Sequence, residues 1–431
     1  MKFNEWRSPM LRKIPRTILL PLMLSSLLLA DDSAPPPVPG VPAPPTADAD
    51  NPTASPTEGI LARWLDINTF SFALRYRSID DSDGVHTYNQ GQERSLLDGK
   101  FKFDKDGKYS IGFHLSSGQY FDWAYSDFMG GGTTEANRAS IPRLASADDQ
   151  AAALQLGATG SYYASGGWSF VPRQLYFDAK PVHGLEFQYG SIGINRGMNT
   201  EITSYDDDGW LTGGRLIIRL PEKLYFDEVS ITYAYLGDIY TPNFFDRYQS
   251  MGHSNYHQFL VRKKLMPWLE VSADYTQDLA HTVREGAYVK TKRARVIDGV
   301  RVEAYQRINQ VVESSGVYPT AAGFSFTADK SFRKKINLQA GFADIDYNYD
   351  VYSNDGANAI WGFALNGDQY GMGQRPFVRV TLNLTPYLSV FGFYTHLINY
   401  NYARDGFVWN QTALNSGLQI DFKKLLKLGP H

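Results

Sequence analysis

The chain has 431 residues, a formal net charge of -3, no cysteine, and 28 Tyr, 25 Phe and 8 Trp. A disulfide framework, a thiolate metal site and a cysteine nucleophile are therefore excluded, and there is no basic excess of the kind a nucleic-acid binder shows. With 43% hydrophobic residues and a mean hydropathy of -0.34, the chain is not a helical membrane protein, whose spans each need roughly 20 continuous apolar residues. A lipid-facing barrel can be this polar, because alternate strand residues face water.

Residues 1–30 read as a secretory signal. Arg12, Lys13 and Arg16 precede an apolar run from Thr17 to Ala30, too short for a membrane span, and Ala30 before Asp31 and Asp32 offers a cleavage point. Without this segment the chain carries 37 basic against 44 acidic residues. Residues 31–63 are rich in Pro, Ala and Thr, cannot bury a core and read as a semi-extended periplasmic spacer.

From Trp64 onward apolar and polar residues alternate. Residues 68–77 place Phe70, Phe72, Leu74 and Tyr76 on one face and Arg75 and Arg77 on the other. The clearest stretch is 97–115, two alternating runs about a turn built from Asp104, Asp106 and Gly107, the signature of paired strands in a hairpin. One of its faces carries Phe101, Phe103, Ile111 and Phe113; the other carries Lys100, Lys102 and His114. Similar runs follow at 168–179, 184–194, 210–220, 229–236, 255–264, 268–277, 283–296, 300–309, 322–330, 336–347, 376–385, 388–398 and 410–422. The total is about sixteen strands, each near the 9–11 residues a tilted membrane strand requires.

The links between these runs alternate in length. Short ones fall at 104–107, 180–184, 221–225, 265–267, 297–299, 331–335 and 385–387. Long ones fall at 79–92, 118–167, 195–209, 237–254, 310–321 and 353–375. Short periplasmic turns and long outer loops alternate in this way in a membrane barrel, whereas a soluble sandwich has no reason to keep the alternation over seven hairpins. Trp168, Trp210 and Trp409 start strands at one rim and Trp64 and Trp268 at the other, positions suited to aromatic girdles. The expected fold is an all-β closed antiparallel transmembrane barrel over residues 64–422, followed by a short basic tail at 423–431.

In this architecture the chain resembles bacterial outer-membrane porins, although no short diagnostic motif carries the resemblance. Such barrels commonly end on a terminal aromatic, whereas here Phe422 is followed by nine further residues. The resemblance implies an outer-membrane location, contact with membrane lipid, passage of small hydrophilic solutes, and a homotrimer. It also implies that a long early loop narrows the channel. The stretch 118–167, which opens with Tyr120, Phe121, Trp123, Tyr125 and Phe128, is the expected constriction loop, its rings offering stacking faces.

The alternation assigns Arg75, Arg77, Lys100, Lys102, Arg215, Arg219, Arg262, Arg301, Arg307 and Arg379 to the lumen. Against them stand Asp98, Glu186, Glu270, Asp274, Glu303, Asp329 and Asp421. Ten basic groups facing seven acidic ones suggest ladders of opposite sign with a weak preference for anions. Asp206, Asp207 and Asp208 lack the alternating spacing of a calcium loop and read as an ordinary turn. Asp344, Asp346, Asn348 and Asp350 read as a solvated strand extension.

Enzyme readings have little support. His253 and Ser254 are adjacent, so on a strand they point to opposite faces, and no third ligand accompanies His253, Asn255 and His257 as a metal site. Neither a cofactor nor a metal is expected, and the leading expectation is a passive, non-enzymatic pore. The alternatives are a closed barrel with a structural or adhesive role, or an enzyme acting on envelope components.

Overall fold

The computed structural model describes residues 64–81, 87–117, 124–126, 170–197, 210–220, 222, 224–236, 243–278, 280–291, 296–309, 320–345, 373–401 and 408–426. The expected signal, the spacer and the aspartates at 206–208 lie outside these residues. Among the described residues no helix is long and apolar enough to cross a membrane.

Seventeen strand segments run in chain order: β1 Leu65–Asp81, β2 Thr87–Lys102, β3 Tyr109–Ser116, β4 Ala124–Ser126, β5 Val171–Val182, β6 Leu185–Gly193, β7 Trp210–Ile218, β8 Glu228–Leu236, β9 Tyr256–Met266, β10 Leu269–Gln277, β11 Ala280–Lys290, β12 Gly299–Asn309, β13 Thr320–Phe332, β14 Ile336–Ile345, β15 Gly373–Asn383, β16 Leu388–Asn401 and β17 Val408–Asp421. β3 pairs with the lower part of β2 and β4 with its upper part, so these two segments form one interrupted stave and the barrel has sixteen. Every stave pairs antiparallel with its neighbours in sequence. β1 closes the ring by pairing with β2 on one side and with β17, through Ser71–Asp421 to Asp81–Gln411, on the other.

The two faces differ sharply. Phe101, Phe103, Tyr109, Phe177, Phe187, Tyr189, Ile231 and Phe259 point outward and are exposed, while Arg75, Asp178, Glu186, Arg215, Asp274, Arg284 and Arg307 point inward and are buried. Parity therefore gives the wall an apolar exterior and a charged interior. The interior is not wholly polar, however. Tyr305, Ala321, Ala343, Ile345, Phe377 and Phe393 form a buried cluster on the inward side of β12–β16.

Proline marks irregular ladders. Pro172 sits where the β3–β5 register shifts between His114 and Leu115, and Pro376 falls in the gap between the Gln374–Ile398 and Phe377–Thr395 pairs. A residue without an N–H belongs at such breaks.

Several boundaries depart from the sequence reading. Residues 79–80 and 87–92, expected within a loop, continue the β1–β2 ladder, and Asp81 pairs with Gln411 of β17, since polar side chains there indicate solvent rather than loss of pairing. The strand expected to reach Val296 ends at Lys290, where Thr291 turns the chain: its N–H donates to the Asp298 carbonyl at 2.8 Å and its Oγ1 to the Ile297 carbonyl at 2.6 Å. The link after β8 carries a short helix, α1 Phe244–Arg247, capped by Asn243. The segment after β17 begins with a helical turn, α2 Phe422–Leu425, capped when Asp421 accepts from the Lys424 N–H at 3.0 Å.

The short turns are tightly specified. At the first, the Asp104 carboxylate accepts backbone N–H bonds from Lys108, Tyr109 and Asp106 at 3.0, 2.7 and 3.0 Å. These donors, led by Lys108, hold its pKa below the ordinary value. The stabilisation they give is present above that value and is lost as the pH falls through the lowered pKa. At the β13–β14 turn the Lys335 N–H closes on the Phe332 carbonyl at 2.9 Å, with Arg333 and Lys334 both at left-handed φ, 49° and 58°. That conformation lets the three-residue connection 333–335 close but strains side-chain-bearing residues. Lys334→Gly is therefore expected to stabilise the barrel by about 1 kcal/mol, read as a higher midpoint of heat-modifiable gel migration; an unchanged or lower midpoint would contradict the strain.

Candidate functional site

The inward face is the candidate site, and strand parity decides which side chains reach it. On β2, Lys100 faces Gly112 of β3, which faces Tyr176 of β5. A Cβ at position 112 would collide with the Tyr176 ring, so the missing side chain leaves room for that ring. Lys100 thereby reaches across to the buried Asp178 carboxylate of β5, while Lys102 lies 3.9 Å from Asp66.

A second network runs across four staves. Arg219, just beyond β7, contacts Glu186 of β6 at 2.6 Å and Glu228 of β8 at 2.7 Å, and Arg262 of β9 lies 3.5 Å from Glu228. Arg215 is buried and donates to Gln188 Oε1, Thr232 Oγ1 and the Gly193 carbonyl at 3.2, 3.1 and 2.5 Å. Further round, Arg284 of β11 pairs with Asp274 of β10 at 2.8 Å, Lys290 with Glu270 at 2.7 Å, and Arg307 of β12 with Asp278 at 3.5 Å.

Beyond β12 the character changes. Glu303 is buried between Gly286 and Ser325 in the ladder, Arg301 lies over Tyr288, and Tyr288 donates to Asp329 at 3.1 Å. Arg379 of β15 lies 5.3 Å over Phe393 of β16, and Arg375, four residues earlier on the same inward face, is fully buried. On β14–β17, among the described residues, the inward face carries those two arginines and no carboxylate before Asp421. Arg75 of the adjoining β1 donates to Gln92 of β2. Arg77 pairs with Asn415 and Gln90 in the ladder, but its side chain lies outside the described residues.

The chain also enters the interior. Immediately after β6, Asn195 donates through Nδ2 to Ser230 Oγ of β8 at 2.8 Å, and its carbonyl accepts from Gln258 of β9 at 2.9 Å. Arg262 donates to Asn195 Oδ1 at 3.0 Å and to the Arg196 carbonyl. These partners all face inward, so residues 194–197 cross the inner side of β7 and dock on β8 and β9. The sequence reading placed the constriction in 118–167, where Tyr120, Phe121, Trp123 and Phe128 lie outside the described residues and Tyr125 is described only as a backbone partner of Gln92. Nothing in Asn195-Arg196-Gly197 announces the docking, because its partners are distant in sequence.

Outside the barrel, Ser254 finds a partner other than its neighbour His253. It is matched to His257, with Oγ 2.7 Å from Nε2, and the imidazole lies 4.7 Å from the Tyr233 ring, tilted by 31°. Adjacent-residue parity excludes the first pairing, whereas a residue three positions on remains within reach at the strand's start. Among the described residues no carboxylate bonds His257, and Asn255 is engaged by the backbone of Leu236 rather than held for a metal.

No protein-family model matches the chain, and no curated protein does. Several solved structures resemble it. Pseudomonas putida OprB has 9% identity and a TM-score of 0.48, over 84% of this chain and 94% of that one. Salmonella typhi OmpF in complex with daunomycin has 12% identity and a TM-score of 0.47, over 83% and 98%. The outer membrane protein OprD from Pseudomonas aeruginosa has 9% identity and a TM-score of 0.43, over 83% and 93%.

The Asp274–Arg284 pair is the most secluded of the inward ion pairs, with side chains 1% and 2% exposed. Asp274→Ala is expected to destabilise the barrel by about 3–5 kcal/mol by taking the carboxylate from a buried guanidinium. Adding Arg284→Met should recover most of that loss in a urea unfolding series, and a double variant no better than the single one would contradict the pairing.

Proposed function

We propose that the chain is an outer-membrane channel through which small hydrophilic solutes diffuse passively. The observation that carries this reading is the inverted polarity of a closed wall: large apolar side chains exposed outside, buried charges inside. Such a wall suits hydrocarbon on its outer side and water within. The alternating short and long links and the signal-like first 30 residues support the same location. Selection would come from the segment 194–197, which takes up interior space, and from the interior charges. A weak anion preference fits the β14–β17 arc and β1, where Arg75, Arg375 and Arg379 face inward. The reading includes no catalysis, since Ser254 and His257 form a dyad without a bonded carboxylate among the described residues.

The purified, folded protein should give stepwise conductance in planar bilayers, with a salt-gradient reversal potential displaced modestly toward anions; folded protein without steps would overturn the channel reading. Arg262→Ala should release residues 194–197 and raise the unitary conductance, at a stability cost of about 1.5–3 kcal/mol for the lost charge-assisted bonds. Unchanged conductance would show that the segment does not limit the pore.

A further inference from the structure

Glu285 is the middle residue of β11, and it points outward and is exposed. Its cross-strand neighbours are Ala273 on β10 and Ala304 on β12, too short and apolar to offer a hydrogen-bond donor. Val283 and Ala287 flank it on the same face of its own strand. Gln306, the next outward residue of β12, stands opposite Val283 and is therefore diagonal to Glu285, about 7–8 Å away between Cα atoms. Gln306 is also exposed, and among the described residues neither side chain has a partner.

Other outward-facing charges are managed differently. Lys263 near the end of β9 pairs with Asp227 at 3.1 Å, Lys330 near the end of β13 pairs with Asp298 at 2.7 Å, and Asp344 at the end of β14 accepts from Gln374 at 3.4 Å. Glu93 on β2 is buried. Glu285 alone among these sits exposed at the centre of its strand, where hydrocarbon would meet it if the proposed membrane location holds. A carboxylate there is costly when it faces lipid, and the inference rests on that location.

We infer that the outward face of β10–β12 around Glu285 is a contact with a second copy of this chain, related by a two-fold axis. Across such an axis each Glu285 carboxylate accepts from the partner's Gln306 amide, so acceptor and donor lie together on one self-complementary patch. Ala273, Ala287 and Ala304 keep the patch shallow, allowing two walls to approach closely. A two-fold contact builds pairs, in contrast to the homotrimer implied by the porin resemblance.

The natural absence of cysteine makes the test direct. Ala304→Cys, beside the axis, should form a disulfide-linked species of twice the chain mass when intact outer membranes are oxidised. Ile111→Cys, outward on β3 across the barrel, should give no disulfide-linked species. The double variant Glu285→Val, Gln306→Leu should halve the particle mass in mild detergent while leaving conductance per barrel unchanged. The inference is overturned if folded, conducting Ala304→Cys protein does not cross-link, or if it cross-links to a product that is not twice the chain mass. It is equally overturned if Glu285→Val raises the thermal midpoint without changing particle mass, the behaviour of a carboxylate relieved of lipid. Cross-linking at position 304 in a barrel that shows no conductance would remove the channel reading and leave the contact standing.

Discussion

The pairing of β1 with both β2 and β17 is the constraint on which the rest of the structure depends. A sheet of sixteen staves left open would present two rows of unpaired N–H and C=O groups, and closure removes both. At the seam the backbones come close: a Cβ at Gly417 would fall against the Leu74 carbonyl and Arg75. Closure also fixes what each side chain can do. Once Ser71 is opposite Asp421 and Phe72 opposite Ile420, a one-residue slip anywhere would turn an aromatic inward and a charge outward. The ring is thus both the source of inside and outside and the reason their contents cannot exchange.

Inside, the problem is how to place charges on a confined wall. From β2 to β12 the answer is pairing between neighbouring or next-neighbouring staves, as in Lys100–Asp178 across Gly112 and Arg219 between Glu186 and Glu228. Such pairs contribute little net stability once desolvation is counted, but losing one partner is costly. They therefore act as register markers: a slipped strand leaves a buried charge alone. The glycine at 112 belongs to the same device, since a side chain there would block the reach from β2 to β5.

Much of this was legible in the sequence and some was not, for physical reasons. Period-two alternation in 97–115 identifies the two faces correctly because a strand has only two, and Phe101 and Lys100 lie where alternation places them. Short turns were legible because their chemistry is local: Asp104 gathers three nearby N–H groups. Strand length at the open end was not, since residues such as Asp80 and Asn89 pair through backbone that polarity does not report. The inward cluster of Tyr305, Phe377 and Phe393 was not legible because it joins residues of separate strands, and Tyr305 and Phe377 each look like one apolar position among the charges that share their parity. The docking of Asn195 on Ser230 and Arg262 escaped because it joins groups 35 and 67 residues apart across an intervening strand.

The interior divides into two unlike arcs. The wall from β5 to β11 is nearly neutral pair by pair, and the segment 194–197 lies against part of it. On β14–β17, among the described residues, the inward face carries Arg375 and Arg379, the latter over Phe393, and Arg75 of the adjoining β1 lies beside Gln92. Opposite charges on neighbouring staves cancel at short range, so from β5 to β11 the wall marks strand register more than it marks sign. On the other arc the inward arginines sit beside groups of a different kind, as Arg75 beside the Gln92 amide and Arg379 over the Phe393 ring.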